Sequence, residues 1–232
     1  MRCDYLVWSA DVATVYGHHA AQMYDRLVLA YETMRYGYRL RVGDDGVAVG
    51  RLDRDGVHRV MLQAAGSVAH PLWEDLVAMR RLDTEGDENK LSMRRVDMQW
   101  TVGVDDASRV IDGLVVADGY SHLRISSLDS GGVAGSGIYV GAPTSEIRLR
   151  IYDKGAQLRS KLQSLPSGED IPEAVRFELI LRKRKATLLL ELATVSDDQA
   201  VDYVLHHVIR RVPSPSSRKA WIETVRLPSC YP

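Results

Sequence analysis

Two stretches in the second half of the chain alternate polar and apolar side chains as a half-buried β-strand does. The first is GIYVGAPTSEIRLRIYDKG at 137–155, and the second is RFELILR at 176–182. Since successive side chains of a strand point to opposite faces, one face of the first strand carries a tyrosine and several cations: Arg148, Arg150, Tyr152 and Lys154. Arg176 and Glu178 share a face of the second strand. A sheet face with a phenol, a carboxylate and cations suits the handling of a phosphodiester.

The remaining periodicities predict an α+β fold with a central antiparallel sheet. Besides the strand that ends near Tyr152, alternating segments predict strands at 4–8, 38–42, 47–52, 57–63, 91–102, 122–128 and 174–181. Helical spacing predicts helices at 18–35, 71–82, 106–117, 155–165, 184–193 and 196–211. Two passages, 4–63 and 93–152, have a β-α-β-β-like order, which favours one sheet covered by helices.

Several motifs accompany these strands: YVGxxxSxxxLRIYDKG at 139–155, RFELxLR at 176–182, CDYLV at 3–7, VMLQAAG at 60–66 and MRRVDMQ at 93–99. Together they resemble the replication initiation factor family, the Rep_trans proteins of rolling-circle plasmids, filamentous phages and integrative conjugative elements. The resemblance implies a duplicated ferredoxin-like (β-α-β-β-α-β) sheet with helices packed on one face. It also implies a single nicking domain at 1–212, with halves at about 1–90 and 91–212, and a C-terminal tail at 213–232.

Charge is distributed unevenly along a chain whose net charge is only −1. Residues 1–145 hold 15 basic and 20 acidic side chains, whereas residues 146–232 hold 15 and 11. A local basic face favours a sequence-selective or metal-assisted DNA enzyme over a nonspecific DNA-coating protein, because phosphate neutralisation dominates nonspecific affinity. Ordinary unevenness of surface charge explains the same numbers equally well.

Tyr152 is the candidate nucleophile. A phenol with a pKa near 10 attacks poorly at neutral pH, so neighbouring cations or a metal must favour the phenolate or the transition state. Arg150 and Lys154 flank Tyr152 at the spacing of a shared strand face, and the resemblance assigns the nicking role to the tyrosine of the YDK motif. Tyr139 is the next candidate. Most tyrosines in strands are structural, which is the alternative interpretation of Tyr152.

Asp97 and Glu178 are the candidate metal ligands. Asp97 lies in a predicted strand and, if that strand neighbours the one with Glu178, both carboxylates could reach one divalent cation. Oxygen ligands suit Mg²⁺ or Mn²⁺, and Glu146 and Asp153 are the nearest candidates for a third ligand. Structural ion pairs explain the same residues: Asp97 with Arg176, or Glu178 with Arg95.

A basic run follows the second polar strand and precedes an apolar helix: Arg182, Lys183, Arg184 and Lys185. With Arg148 and Arg176, these cations are candidate DNA-binding residues, and the run could contact the backbone of an origin hairpin. A solvated helix start is an equally good interpretation.

The resemblance implies a site-specific DNA endonuclease and strand transferase that initiates rolling-circle replication or transfer of a mobile element. Its expected partner is single-stranded or hairpin origin DNA, and a host helicase and a second copy of the chain are further candidate partners. The alternative is a non-cleaving regulator or accessory protein that binds origin DNA. Two cysteines without metal spacing and the lack of a signal peptide or membrane-length apolar run predict a cytoplasmic protein.

Overall fold

The computed structural model describes residues 1–27, 29–35, 37–54, 57–83, 91–114, 137–162 and 171–212. Its strands are β1 (Arg2–Asp11), β2 (Leu29–Arg35), β3 (Tyr38–Gly43), β4 (Val47–Arg54), β5 (Val57–Ala65), β6 (Leu91–Gly103), β7 (Gly137–Val140), β8 (Ile147–Asp153) and β9 (Ala174–Arg182). Its helices are α1 (Val15–Arg26), α2 (Ala69–Leu82), α3 (Ala107–Asp112), α4 (Lys154–Leu162), α5 (Arg184–Val195) and α6 (Asp197–Ile209). The predicted α+β class is confirmed.

These strands form a nine-stranded sheet in the order β2-β3-β4-β5-β1-β6-β9-β8-β7. The neighbouring pairs β1 with β5, β2 with β3, β3 with β4, β4 with β5 and β7 with β8 are antiparallel. The sheet therefore confirms the predicted central antiparallel sheet. The duplication into two ferredoxin-like halves and the placing of all helices on one face stay predictions, as do the boundaries of the predicted domains.

The chain separates into two compact units. The first unit comprises Met1, Met98–Ile180 and Val201–Pro232, and the second comprises Arg2–Asp97 and Leu181–Ala200. In the second unit, β2–β5 form a meander and β1 pairs with β5. Helix α1 packs against β1, β4 and β5, and α2 packs against β1 and β5. The core of this unit includes large side chains that are completely or almost completely buried: Leu6, Trp8, Leu40, Met61 and Leu62.

In the first unit, β7 and β8 form an antiparallel hairpin that places Tyr139 opposite Arg150. Val140, Leu149 and Ile151 are completely buried, so the apolar face of the hairpin lies in the core. The rings of Trp100 and Phe177 stack with centroids 5.3 Å apart and an angle of 7° between their planes. The hairpin therefore presents its polar residues on the face opposite this core.

The predicted helix at 18–35 is wrong in its second half. The helix ends at Arg26, and residues Leu29–Arg35 form β2. All seven residues of β2 are exposed. Its sequence therefore lacks the pattern of one buried face by which a strand can be distinguished from a helix. Its strand geometry comes from pairing with β3 across a turn at Gly37, whose φ of +83° favours glycine.

Most other predicted elements agree with the structure within a few residues, including the three strands at 38–63, the helix at 71–82 and the last two helices. Strand β8 ends at Asp153, however, and Lys154 begins α4. Because a helix begins at Lys154, strand alternation does not place Lys154 on the face that carries Arg150 and Tyr152. The predicted strand at 122–128 and the tail at 213–232 lie outside the described residues.

None of the helices within the described ranges is long and apolar enough to cross a lipid bilayer.

Gly17 of α1 is expected to tolerate no side chain. A Cβ there would lie 1.9 Å from the carbonyl oxygen of Asp11, which is backbone and cannot rotate away. We expect Gly17→Ala to lower the free energy of unfolding by about 3 kcal/mol, measured by chemical denaturation. Gly37→Ala is the comparison, because its Cβ would meet nothing within 4 Å and only its positive φ costs about 1 kcal/mol. Equal losses in the two variants would contradict the prediction.

Candidate active site

The side chains of Tyr152, Glu178 and Arg150 form one hydrogen-bonded group in the first unit. The Tyr152 hydroxyl donates to Glu178 Oε1 over 2.7 Å, and Arg150 Nη1 donates to Glu178 Oε2 over 3.2 Å. The Arg150 guanidinium also lies 4.2 Å from the centroid of the Tyr152 ring. Each oxygen of one carboxylate thus binds a different partner, and the phenol has a carboxylate that can accept its proton.

Burial sets the ionisation of Tyr152. The side chain is 2% exposed, and desolvation raises the pKa of its phenol above the ordinary value. The negative charge of Glu178 and its hydrogen bond raise that pKa further, whereas the charges of Arg176 and Arg150 lower it. The resting site therefore favours a neutral phenol, and removal of its proton depends on an acceptor.

Tyr139 extends this group onto β7. The guanidinium of Arg148 lies 4.2 Å from the centroid of the Tyr139 ring, and that of Arg150 lies 5.6 Å away. Tyr139 is half-buried, whereas Ile138 and Val140 beside it are buried. The Tyr139 ring therefore lies on the polar face, where Arg150 contacts two aromatic rings and a carboxylate. We call these four residues, Tyr139, Arg148, Arg150 and Tyr152, the arginine–tyrosine ladder.

Arg176 borders the same group from β9. Its Nε donates to the hydroxyl of Thr101 over 3.0 Å, and its charge acts on the Tyr152 phenol. This contact makes Thr101 a neighbour of the site. The sequence carried a signal for it, since Thr101 follows Gln99 at the spacing of one strand face.

Asp97 lies in the second unit and is paired with an arginine of its own strand. Arg95 Nε donates to Asp97 Oδ1 over 2.7 Å, and Arg95 Nη2 donates to Asp97 Oδ2. Arg95 also lies 4.4 Å from the centroid of the Tyr5 ring. An ion pair was the alternative interpretation of these carboxylates, although the arginines involved are Arg95 for Asp97 and Arg150 for Glu178.

The other two candidate ligands have further interactions. Asp153 Oδ1 accepts the backbone N–H of Ala156 over 2.8 Å, so it stabilises the first turn of α4, and Arg159 lies 3.8 Å from its Oδ2. Burial raises the pKa of the Tyr203 phenol, and the negative charge of Glu146 adds to that increase. Among the residues that the structure describes, no group of three or more His, Cys, Asp or Glu side chains could hold a metal ion.

Arg159 joins the end of β8 to the segment that precedes β9, and the sequence did not predict this contact. Its Nη1 lies 2.7 Å from Glu173 Oε1 and donates to the carbonyl of Ile171 over 3.3 Å. Because it also pairs with Asp153, this arginine connects the residue after Tyr152 to the segment that enters β9. The sequence offers no periodic signal for such a contact between distant positions.

Lys154 begins one helix, and the basic run spans the end of β9 and the start of α5. Lys154 donates to Gln157 over 2.7 Å within α4. Arg182 ends β9, whereas Arg184 and Lys185 begin α5. Lys183 lies between them with φ at +49°, and its backbone N–H donates to the carbonyl of Arg94 over 3.2 Å. Lys183 is exposed, and its backbone conformation favours glycine. Strained residues of this kind cluster at functional sites, so Lys183 is a candidate for mutagenesis.

Variants of the basic run test whether it binds DNA. If these cations contact phosphates, Arg184→Ala and Lys185→Ala should each reduce the slope of log affinity against log salt by about 0.7 to 0.9. Lys183→Gly should reduce it equally while raising stability by about 1 kcal/mol, because the positive φ no longer opposes a Cβ. Fluorescence anisotropy with hairpin DNA at several NaCl concentrations measures the slope.

The control for this series is Arg109→Ala, at an exposed arginine of α3. Its salt slope should equal that of the wild type. Unchanged slopes in all three basic-run variants would identify the run as solvated surface.

Comparison with known proteins supports the predicted resemblance. The family model described as "Replication initiation factor" (Rep_trans) matches residues 78–225. A solved rolling circle replication initiator protein from Geobacillus stearothermophilus is similar in fold, with a TM-score of 0.59 and 17% sequence identity. The alignment covers 99% of this chain and 91% of that one. No curated protein matches the chain. Since the family model spans more than half of the sequence, this chain belongs to the replication initiation factor family.

Proposed function

We propose that this protein nicks and rejoins DNA to initiate rolling-circle replication or transfer of a plasmid, phage or other mobile element. Family membership supports a role in replication initiation, and the similar fold of a rolling circle replication initiator supports the rolling-circle mode. The observation that carries the chemistry is the hydrogen bond of 2.7 Å from the Tyr152 hydroxyl to Glu178. It joins a nucleophile to a proton acceptor on a cationic sheet face.

In the proposed reaction, the Tyr152 oxygen attacks the phosphorus of one DNA phosphodiester. The phenolic proton passes to Glu178 as the O–P bond forms, and the bond from phosphorus to the 3'-oxygen breaks. The 3'-oxygen takes a proton from water and leaves as a 3'-hydroxyl, while the 5'-phosphate stays on Tyr152. Attack by a 3'-hydroxyl on this phosphotyrosyl bond reverses the steps, which is how the same residues would join strands.

The cations around the phenol have a role at each stage of this reaction. Arg150 contacts the Tyr152 ring and Glu178, so it can hold both groups in position and bind the charge that develops on the phosphate. Burial raises the pKa of the phenol, and the positive charge of Arg176 partly offsets that increase. Lys154 stays a proposed catalytic residue, placed by the helix start directly after β8.

We also propose that Asp97 and Glu178 are ligands of Mg²⁺ or Mn²⁺. Their carboxylate oxygens suit these hard cations, but each carboxylate is bound to an arginine. A cation would therefore need these guanidinium groups to move. When bound, a divalent ion would polarise the scissile phosphate.

The proposed substrate is single-stranded or hairpin origin DNA. Its proposed contacts are basic residues of the polar face and of the basic run: Arg148, Arg176, Arg182, Lys183, Arg184 and Lys185. A host helicase and a second copy of the chain are further proposed partners, and the cytoplasm is the proposed location.

One observation favours a second candidate function. Tyr152 is 2% exposed and burial raises the pKa of its phenol, as expected of a structural tyrosine. In that case the protein binds origin DNA as a regulator or accessory factor and does not cleave it.

Formation of a covalent adduct distinguishes the two functions. The wild type is incubated with labelled single-stranded and hairpin DNA from the origin of its own replicon, with Mg²⁺ or Mn²⁺. We expect a protein–DNA band that survives denaturation, and peptide mapping should locate the 5'-phosphate on Tyr152. DNA binding without any adduct on these substrates would favour the non-cleaving function.

A further inference from the structure

We infer that Tyr139, together with Arg148, is a stacking platform for a nucleobase of single-stranded DNA next to the phosphate attacked by Tyr152. This inference rests on the proposed function. It assigns to the arginine–tyrosine ladder a contact with a base, in addition to the phosphate contacts proposed for its arginines. The ligand is one unpaired base, which the Tyr139 ring would contact by stacking on its aromatic face and not by hydrogen bonds to its edge.

The position of Tyr139 in the sheet supports this assignment. Among the strands that the structure describes, β7 comes last in the sheet order and pairs with β8. Tyr139 is half-buried on the polar face, while both neighbours in its strand are buried in the core. Part of an aromatic ring therefore stays accessible at the end of a face that carries arginines. Such a combination is how proteins hold single strands without reading their sequence.

The distance along the ladder supports it as well. Tyr139 lies opposite Arg150 across the hairpin, and Arg150 lies 4.2 Å from the centroid of the Tyr152 ring. One guanidinium therefore separates the nucleophile from the platform. A strand whose phosphate is at Tyr152 would place an adjacent unpaired base close to Tyr139. The Arg148 guanidinium, 4.2 Å from the Tyr139 centroid, presents a second planar group that can stack on bases.

A binding experiment in the Tyr152→Phe background tests the platform without cleavage. The probe is single-stranded origin DNA with 2-aminopurine placed singly at positions on either side of the cut site. We expect quenching of one 2-aminopurine by the parent protein and loss of that quenching in Tyr139→Ala and Tyr139→Leu. Affinity should fall roughly 5- to 150-fold in both, the range for loss of one base–aromatic stack.

Conservative variants separate stacking from other roles of Tyr139. Tyr139→Phe and Tyr139→Trp should restore affinity to within about two-fold, because either ring presents an aromatic face. Tyr31→Ala, at a 58% exposed tyrosine of β2, is the matched control and should bind as the parent does.

Three outcomes would overturn the platform. Unchanged quenching and affinity in the Ala and Leu variants would do so while leaving the proposed function intact. Equal losses in the Phe and Ala variants would assign the role to the hydroxyl. Absence of DNA binding by the parent and by the wild type would overturn the proposed function and the platform together.

Discussion

Tyr152→Phe is expected to reduce nicking of origin DNA about a thousand-fold or more and to abolish the covalent adduct, while DNA binding persists. The substitution removes the oxygen that would attack phosphorus and changes packing volume little. It also leaves Glu178 without the donor at 2.7 Å, although Arg150 still binds that carboxylate. Cleavage of end-labelled origin DNA and denaturing electrophoresis of the products measure both effects.

Tyr16→Phe is the matched control for this variant. Tyr16 is completely buried, and its hydroxyl donates to the carboxylate of Asp83 over 3.0 Å. Tyr16→Phe thus removes a tyrosine–carboxylate hydrogen bond, as Tyr152→Phe does, but at a position without a proposed role in cleavage. The control should nick DNA at the wild-type rate. If Tyr152→Phe still forms the adduct, another residue is the nucleophile, and Tyr139 is the next to test.

Glu178→Gln is expected to reduce nicking about a hundred-fold or more at neutral pH. Two effects of the amide oppose each other. It lowers the pKa of Tyr152 relative to the wild type, because the charge of Glu178 and its hydrogen bond both raise that pKa. It also removes the proton acceptor, which contributes typically 100- to 10,000-fold. Loss of the acceptor dominates, because burial, the largest cause of the raised pKa, remains.

The pH dependence distinguishes this role from a structural one. A phenol loses its proton as pH rises, so hydroxide can partly replace the missing acceptor. Residual nicking by Glu178→Gln should therefore increase with pH more steeply than nicking by the wild type, measured by initial rates from pH 7 upward. Glu74→Gln, at an exposed glutamate of α2, should follow the wild-type profile. Parallel profiles for Glu178→Gln and the wild type would contradict a proton-acceptor role.

The strands of the fold could be predicted where apolar segments lie between turns. Segment 38–42 has one buried face, with Tyr38 and Leu40 buried beside an exposed Arg39, whereas residues 47–50 and 60–62 are buried without interruption. All three predicted segments form strands. The segment 29–35 has no buried face, so its residues carried no signal that distinguishes a strand from a helix. Its conformation depends on the partner strand β3 and the turn at Gly37, which are tertiary features.

The site was predictable as a polar face but not as a set of contacts. Alternation within one strand placed Arg148, Arg150 and Tyr152 together. The pairing of Tyr152 with Glu178 depends on β8 and β9 being neighbours in the sheet, and the order of strands is not a local property of the sequence. For this reason the sequence predicts Glu178 as a metal ligand beside Asp97 and gives no indication that Glu178 accepts a hydrogen bond from the phenol.

Arg150 contacts three side chains, and it therefore couples the effects of substitutions at those three positions. Its guanidinium contacts Tyr139, Tyr152 and Glu178, so substitutions at these positions share one interaction. Their energetic effects should not add, since residues that contact a common side chain are thermodynamically coupled. Under the proposed function, an altered preference for DNA at Tyr139 would therefore also alter the rate of strand cleavage at Tyr152. In such a protein, substrate choice and catalytic speed cannot evolve independently.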